Sequence, residues 1–80
     1  MKPRSLTLMY RIDGSKNMAR FYALVTTPTL FGEVSVLRNW GRIGTGGQLC
    51  LMTFATAQEA NQELARLHRV KSRRGYVTRT

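Results

Sequence analysis

Apolar and polar residues alternate with a period of two along four stretches of the chain. The stretches are residues 5–11, 18–27, 33–40 and 48–54. Such alternation predicts β-strands, and the β-branched and aromatic residues within the stretches favour the same structure. Turn residues separate neighbouring stretches, beginning with Asp13-Gly14-Ser15-Lys16-Asn17, which is rich in hairpin-forming types. The pattern therefore predicts four antiparallel strands.

The second stretch is apolar on both of its alternating faces. One face carries Phe21, Ala23 and Val25, and the other carries Tyr22 and Leu24. A strand of this kind is typical of the centre of a sheet that is covered on both sides. In the turn that follows, between Pro28 and Gly32, we expect Leu30 and Phe31 to pack against the end of the sheet.

After residue 54 the apolar period changes to that of a helix. Thr56 and Glu59 have the spacing of a capping box, in which the threonine hydroxyl accepts the Glu59 N–H. An apolar stripe for packing on the sheet follows at spacings of three and four. Its members are Ala57, Ala60, Leu64 and Leu67. Gly75 is expected to end the helix, and residues 76–78 could add a short edge strand.

These elements predict an α+β fold in one domain. The sheet has four strands, or five with the edge strand, and one helix lies across one face. A chain of 80 residues is long enough for one modest core, which we place at about residues 5–76. We expect residues 1–80 to be a single domain, since no repeat or linker separates a second one.

The charge of the chain points to a polyanionic partner. Lys and Arg number 13 against 4 Asp and Glu, a formal net charge of +9, and no acid follows Glu63. Such an excess favours nucleic acid, although it is also compatible with a merely soluble basic protein. No apolar run approaches the roughly 20 residues of a membrane span. With one cysteine, Cys50, which we expect to be a small buried thiol, the composition indicates a soluble, cytoplasmic protein.

The sequence has few residues of the types that form catalytic and metal-binding sites. His68 and Cys50 are the only residues of their types, so they cannot form a zinc set. Four scattered acids offer no convincing pair, and neither a Walker pattern nor a dinucleotide-binding glycine pattern occurs. We therefore predict no enzymatic activity and no cofactor.

The stretch from Asn39 to Gly47 holds the only tryptophan of the chain and four of its seven glycines. Trp40, at the end of the third strand, is expected either to cap the core or to stack on a sugar or a terminal base. Arg42 is a solvated turn residue, a residue bonded to a helix C-terminal carbonyl, or a bidentate phosphate ligand. Gly44 and its neighbours either present N–H groups to a phosphate or only close the hairpin.

Four segments resemble, in this order, the WGR domain family. They are Asn17-x-x-Arg20-Phe21-Tyr22, Trp40-Gly41-Arg42 with the glycines after it, Phe54-x-x-x-x-Glu59-Ala60, and Lys71-Ser72-Arg73-Arg74-Gly75-Tyr76. The resemblance implies a mostly antiparallel sheet with one helix. It also implies DNA binding near strand ends or nicks, as in the DNA-dependent poly(ADP-ribose) polymerases that carry this module. Small free-standing versions resemble bacterial proteins.

By this resemblance Trp40 packs against the sugar-phosphate of a terminal nucleotide and Lys71 contacts a phosphate. The chain is therefore predicted to be a non-catalytic module that binds the DNA backbone at ends or nicks with weak sequence preference, in the cytoplasm at the nucleoid. The candidate binding residues are Arg38, Trp40, Gly41, Arg42, Gly44, Arg69, Lys71, Arg73 and Arg74. The alternative is an adaptor for an acidic protein partner encoded separately, for which Leu30 and Phe31 would be the contact if they are exposed.

Overall fold

A computed structural model describes residues 5–79 and shows an antiparallel five-stranded sheet with one helix packed against it. The strands are β1 (Ser5–Asp13), β2 (Met18–Pro28), β3 (Val34–Arg42), β4 (Gln48–Phe54) and β5 (Val77–Thr78), and the helix is α1 (Ala57–Arg73). The order across the sheet is β4-β3-β2-β1-β5, and each neighbouring pair is antiparallel. The α+β prediction is confirmed, including the edge strand near the end of the chain.

The hairpin of β1 and β2 fixes the register of the sheet. A short 3-10 turn (Gly14–Lys16) connects the strands, and Asp13 accepts hydrogen bonds from the N–H and hydroxyl of Ser15. Asn17 then adopts a left-handed conformation with φ of 51°, which an asparagine tolerates better than most residues. Pairing runs without a break from Asp13 opposite Met18 to Ser5 opposite Thr26.

The helix begins and ends where the sequence indicates. The Thr56 hydroxyl accepts the Glu59 N–H at 3.2 Å, which satisfies one of the free donors of the first turn. At the other end Gly75 has φ of 96°, and its N–H is bonded to the carbonyl of Ser72. A residue with a Cβ would be strained at Gly75, so glycine both ends the helix and turns the chain toward β5.

The core lies between the helix and one face of the sheet. Met9, Tyr22, Leu24 and Val36 are each at most 1% exposed, and the helix covers them with its residues Ala60 and Leu67. Cross-strand register places Met9 opposite Tyr22, so these side chains share the covered face. A small residue at position 60 allows close approach of the helix to the sheet.

The opposite face of the sheet is not covered, so the prediction that β2 is buried on both sides is wrong. Phe21, Ala23 and Val25 are half-buried, and Leu49 and Leu51, on the same face of β4 two strands away, are 67% and 63% exposed. A period-two pattern records which side chains share a face, but it cannot show whether a second layer covers that face. We refer below to this side of β1–β4 as the open face.

The turn between β2 and β3 also differs from the expectation. Leu30 and Phe31 are 96% and 86% exposed, so they do not pack against the end of the sheet. The turn is held by its own hydrogen bonds, from the Thr29 N–H to the Glu33 carbonyl and from the Phe31 N–H to the Thr29 hydroxyl. Within residues 5–79, no helix is long and apolar enough to cross a membrane.

Candidate nucleic-acid interface

Trp40 lies inside strand β3 and not at a hairpin tip. The strand continues to Arg42, and Trp40 stands opposite Tyr22 on the face that bears the helix. Its indole is half-buried against the core, and the guanidinium carbon of Arg38 lies 5.3 Å from the ring centroid. This distance is typical of a cation–π contact. The indole is therefore fixed by packing on one side while part of it stays open to solvent.

Two glycines allow the loop after β3 to fold back on that strand. A Cβ on Gly41 would lie 2.7 Å from the Gly47 Cα. Gly47 has φ of 68°, and a Cβ there would collide with the Trp40 carbonyl and approach Phe21 to 2.9 Å. The two backbones can approach this closely only without side chains at these positions. We conclude that Gly41 and Gly47 hold the loop against the strand that carries Trp40.

Hydrogen bonds complete the loop. The Asn39 side chain donates to the carbonyls of Gly46 and Gln48, each at 2.9 Å. The Thr45 hydroxyl donates to the Arg42 carbonyl at 2.7 Å, and the N–H of Thr45 donates to the same oxygen at 3.1 Å. These bonds use the carbonyls of Arg42, Gly46 and Gln48 and do not involve the glycine N–H groups, so phosphate binding by those N–H groups stays a prediction.

Three arginines form a row across the sheet next to Trp40. Arg11 pairs with Arg20, and Arg20 pairs with Arg42, on the adjacent strands β1, β2 and β3. Each lies two residues from a residue of the covered face, so all three point to the side of the sheet that bears the helix. Neighbouring strands are about 4.8 Å apart, so the row spans roughly 10 Å.

The end of the helix adds a lysine above the same part of the sheet. The Lys71 Nζ lies 4.6 Å from the ring centroid of Tyr22 and 5.3 Å from that of Tyr76. Burial lowers the pKa of Lys71, and repulsion from Arg74, Arg38 and Arg20 lowers it further. A cation that is destabilised by three other cations lies in a cluster of positive charge.

Arg38 is held in place by the groups beside it. One of its terminal nitrogens donates a hydrogen bond to the Cys50 Sγ at 3.2 Å. The Cys50 side chain is half-buried. The bond to Cys50 raises the pKa of Arg38, and the neighbouring Tyr22 hydroxyl raises it further. That hydroxyl and the Arg38 Nε are buried, yet neither has a well-formed hydrogen bond within residues 5–79. Arg38 therefore stiffens the support of the indole.

Negative charge is scarce around this cluster. In the described part of the chain, the ion pair is that of Glu63 with Arg66, at 2.7 Å, and it lowers the pKa of Glu63. No arginine of the row forms an ion pair among residues 5–79, although the charge of Arg11 adds to the hydrogen bond from Ser15 in lowering the pKa of Asp13. We call the set of Trp40, the arginine row, Arg38, Lys71 and Arg74 the cationic surface.

The structure brings together some of the predicted binding residues and separates others. Arg38, Trp40, Arg42, Lys71 and Arg74 meet at the cationic surface, where Gly41 supports the loop. Three predicted residues lie apart from it. Gly44 is exposed in the turn after Arg42, Arg73 is exposed in the last helical turn, and Arg69 lines a groove with Thr7 of β1.

Sequence reasoning missed Arg11 and Arg20 as candidate binding residues. Their signal is the hairpin itself, because the tight turn at residues 14–17 fixes the pairing of β1 with β2. Arg11 also lies against the end of the helix, since a Cβ on Gly75 would be 3.2 Å from the Arg11 Nε. A register count from the turn outward is enough to place the two arginines side by side.

The residues that most often carry catalysis or bind metals are used structurally. His68 Nε2 lies 2.8 Å from the Thr78 hydroxyl and thereby links the helix to β5. No group of three or more His, Cys, Asp or Glu residues is placed to hold a metal ion within the described residues. The surface that stands out chemically is therefore the cationic surface.

Comparison with known proteins identifies the family of the chain. The WGR domain family matches residues 5–80. The chain is also similar to the "Uncharacterized protein y4dW" of Sinorhizobium fredii (strain NBRC 101917 / NGR234), with 46% identity over 69 residues. That match covers 86% of this chain and 34% of the relative, so the chain spans about a third of the relative's length. No solved structure gives a significant match. The chain belongs to the WGR domain family, a non-catalytic module known for nucleic-acid binding.

Proposed function

We propose that this protein binds the DNA backbone through the cationic surface and prefers strand ends or nicks. The observation that carries the proposal is the row of Arg11, Arg20 and Arg42, in register on three strands, beside the half-buried indole of Trp40. Guanidinium groups suit phosphate because their planar fork donates two parallel hydrogen bonds. The proposed function needs no catalytic group.

The dimensions of the row fit a polynucleotide strand. Successive phosphates of one strand rise 3.4 Å along the duplex axis and also rotate around it, so a row of roughly 10 Å with long arginine side chains faces about two to three phosphates. Arg38, Lys71 and Arg74 surround the same area and would be relieved of mutual repulsion by a bound polyanion. These contacts read no base edge, so sequence preference is expected to be weak.

Trp40 supplies the preference for an end. Inside a continuous duplex each base is stacked on both sides, so a protein aromatic ring has no free nucleotide face to contact. The terminal nucleotide at an end or nick does offer such a face, and base–aromatic stacking is worth about 1–3 kcal/mol. The indole is already held by Arg38 and the core, so little conformational freedom is lost on binding.

The proposal is tested by titrating labelled duplexes that differ only in their termini. We expect linear and nicked DNA to bind more tightly than a covalently closed circle of the same sequence, over a series of salt concentrations. Trp40→Ala should abolish that difference, whereas Lys71→Ala or Arg74→Ala should weaken binding to all three forms equally. Equal affinity of the unmodified protein for circles and ends would refute the end preference.

A protein adaptor is the second candidate function, and one observation favours it. Leu30 and Phe31 stand together on an exposed turn, at 96% and 86% exposure. Adjacent large apolar side chains at a turn are suited to insertion into a partner. Affinity capture from a nuclease-treated lysate separates the candidates. Partners lost on nuclease treatment support DNA binding, whereas partners lost only on Leu30→Ser with Phe31→Ser support the adaptor.

A further inference from the structure

The open face of the sheet carries no charged residue along its four long strands. Its positions are the even-numbered residues 6–12 of β1 and the odd-numbered residues 19–27 of β2, 35–41 of β3 and 49–53 of β4. In a chain with 21% charged residues this exclusion is unexpected for a solvated surface. The opposite face contains Arg11, Arg20, Arg38 and Arg42.

Apolar side chains form continuous rows on this face. Leu6, Val25, Leu37 and Leu51 lie opposite one another in consecutive strands, and together they cross the sheet. The two outer members remain 59% and 63% exposed, and Ile12 at the far end of β1 is 66% exposed. Sheets with one apolar face commonly bury that face against a second layer. Nothing in residues 5–79 supplies such a layer.

We propose that a second copy of this chain covers the open face, so that two sheets pack face to face in a symmetric dimer. An uncharged and largely apolar sheet face can pack against a copy of itself, as a two-fold interface requires. Two copies that pack together repel each other electrostatically, because each has a net charge of +9. Face-to-face packing limits this repulsion because it places the arginine row of each copy on the outside.

The electrostatic cost of this arrangement is small. Packed sheets are about 10 Å apart and the arginine side chains extend away from the interface, so the two rows are separated by roughly 20 Å. This distance is about two Debye lengths at physiological salt, and the repulsion is therefore largely screened. An edge-to-edge pair through β4 would place the two arginine rows on the same face of one continuous sheet.

The area of the face is sufficient for a weak to moderate dimer. Four strands at about 4.8 Å spacing and about seven residues at 3.4 Å rise give a projected area of roughly 450 Å². Accessible area exceeds projected area, so two copies bury roughly 1,000 Å² or more in total, which is near the lower limit of specific interfaces. We therefore expect a dimer that dissociates on dilution.

The test is the molar mass of the full chain in solution, by sedimentation and light scattering. The protein is treated with nuclease and measured in high salt, so that bound DNA cannot bridge copies. We expect a monomer–dimer equilibrium that Leu51→Lys and Leu6→Lys each shift toward monomer by roughly 100-fold, because each buries an unpaired charge. Leu30→Lys, the same change on the exposed turn outside the face, should leave the equilibrium unchanged.

Two results would overturn the proposal. One is a monomer at about 100 µM, since an interface of this size should be populated there. The other is a dimer that Leu51→Lys disrupts and Leu6→Lys does not, which would indicate edge pairing through β4. Both leucines are largely exposed, so circular dichroism should show that the lysine variants stay folded. The measurement contains no DNA, and its outcome is therefore independent of the proposed function.

Discussion

Replacement of Arg20 by glutamine should reduce the salt dependence of DNA binding by a defined amount. Arg20 is the central member of the arginine row, between Arg11 and Arg42, and its side chain is exposed. Each phosphate contact that is lost reduces the slope of log K against log salt concentration by about 0.9. At 0.15 M salt this corresponds to about fivefold weaker binding relative to the 1 M reference. Replacement of all three arginines should reduce the slope by about 2.7.

The assay is fluorescence anisotropy of a labelled duplex at five or more salt concentrations. Arg79→Gln is a matched control, because it removes the same charge. Arg79 is not part of the arginine row. It follows β5, and its N–H donates to the Leu8 carbonyl, which is three residues from Arg11 along β1. If Arg20→Gln and Arg79→Gln change the slope equally, binding depends on net charge and not on the row. The reasoning would then be wrong.

A second effect of the same substitution can be read without DNA. Arg20 is one of three arginines that lower the pKa of Lys71, so Arg20→Gln should raise that pKa toward its ordinary value of 10.5. The Lys71 side-chain resonances in an NMR pH titration measure this directly. An unchanged pKa in the folded variant would show that Arg20 points away from Lys71, and the cluster would lose its central member.

The remaining predictions concern the loop, the lysine and the indole. Gly47→Ala should lower the free energy of unfolding by at least about 1–2 kcal/mol in urea denaturation, because Gly47 has a positive φ and a Cβ there would collide with the Trp40 carbonyl. Gly46→Ala has open space around the added Cβ and should change the free energy of unfolding by less than about 0.5 kcal/mol. Equal effects of the two substitutions would contradict the loop geometry. The pKa of Lys71 is lowered in the folded state, so its charged form opposes folding. The free energy of unfolding should therefore rise as the pH increases from the pKa of the folded state toward 10.5. Lys71→Met should abolish that rise. Since Trp40 is the only tryptophan, its fluorescence should change with linear DNA far more than with closed circles, and an identical response to both would argue against stacking.

The number and order of the secondary-structure elements could be predicted from local signals. Period-two alternation locates β1 to β4 within one or two residues, and the Thr56 cap marks the start of the helix. β1 and β3 extend further than the alternation suggests, to Asp13 and Arg42. A polar residue can continue a strand when the pairing of its neighbours stabilises that part of the sheet. Boundaries depend on pairing partners, which a single segment does not reveal.

The environment of the side chains was harder to predict than the fold. Phe21 and Val25 were expected under a second layer, and Leu30 and Phe31 against the sheet, because an apolar residue is by default assigned to a core. Residues 5–79 form one α-helix, which covers one face of the sheet and leaves the other face open. The burial of a side chain depends on how the helix and the sheet pack together, so it cannot be predicted from a local sequence pattern.

The candidate site shows the same limit. Trp40 and Lys71 could be selected from the sequence, since an isolated tryptophan beside glycines and a basic helix end are visible there. The row formed with Arg11 and Arg20 depends on cross-strand register, which joins residues up to 31 positions apart, counted from Arg11 to Arg42. Composition gives the sign of the charge, but only the register concentrates it on one side of the sheet.

NMR mapping with a short 5′-phosphorylated duplex tests whether DNA binds on the helix-bearing side of the sheet. We expect the indole N–H of Trp40 and the side-chain N–H groups of Arg11, Arg20 and Arg42 to shift first and most. Shifts confined to the open face around Leu37 and Leu51, with the indole and the arginine row unaffected, would contradict this expectation.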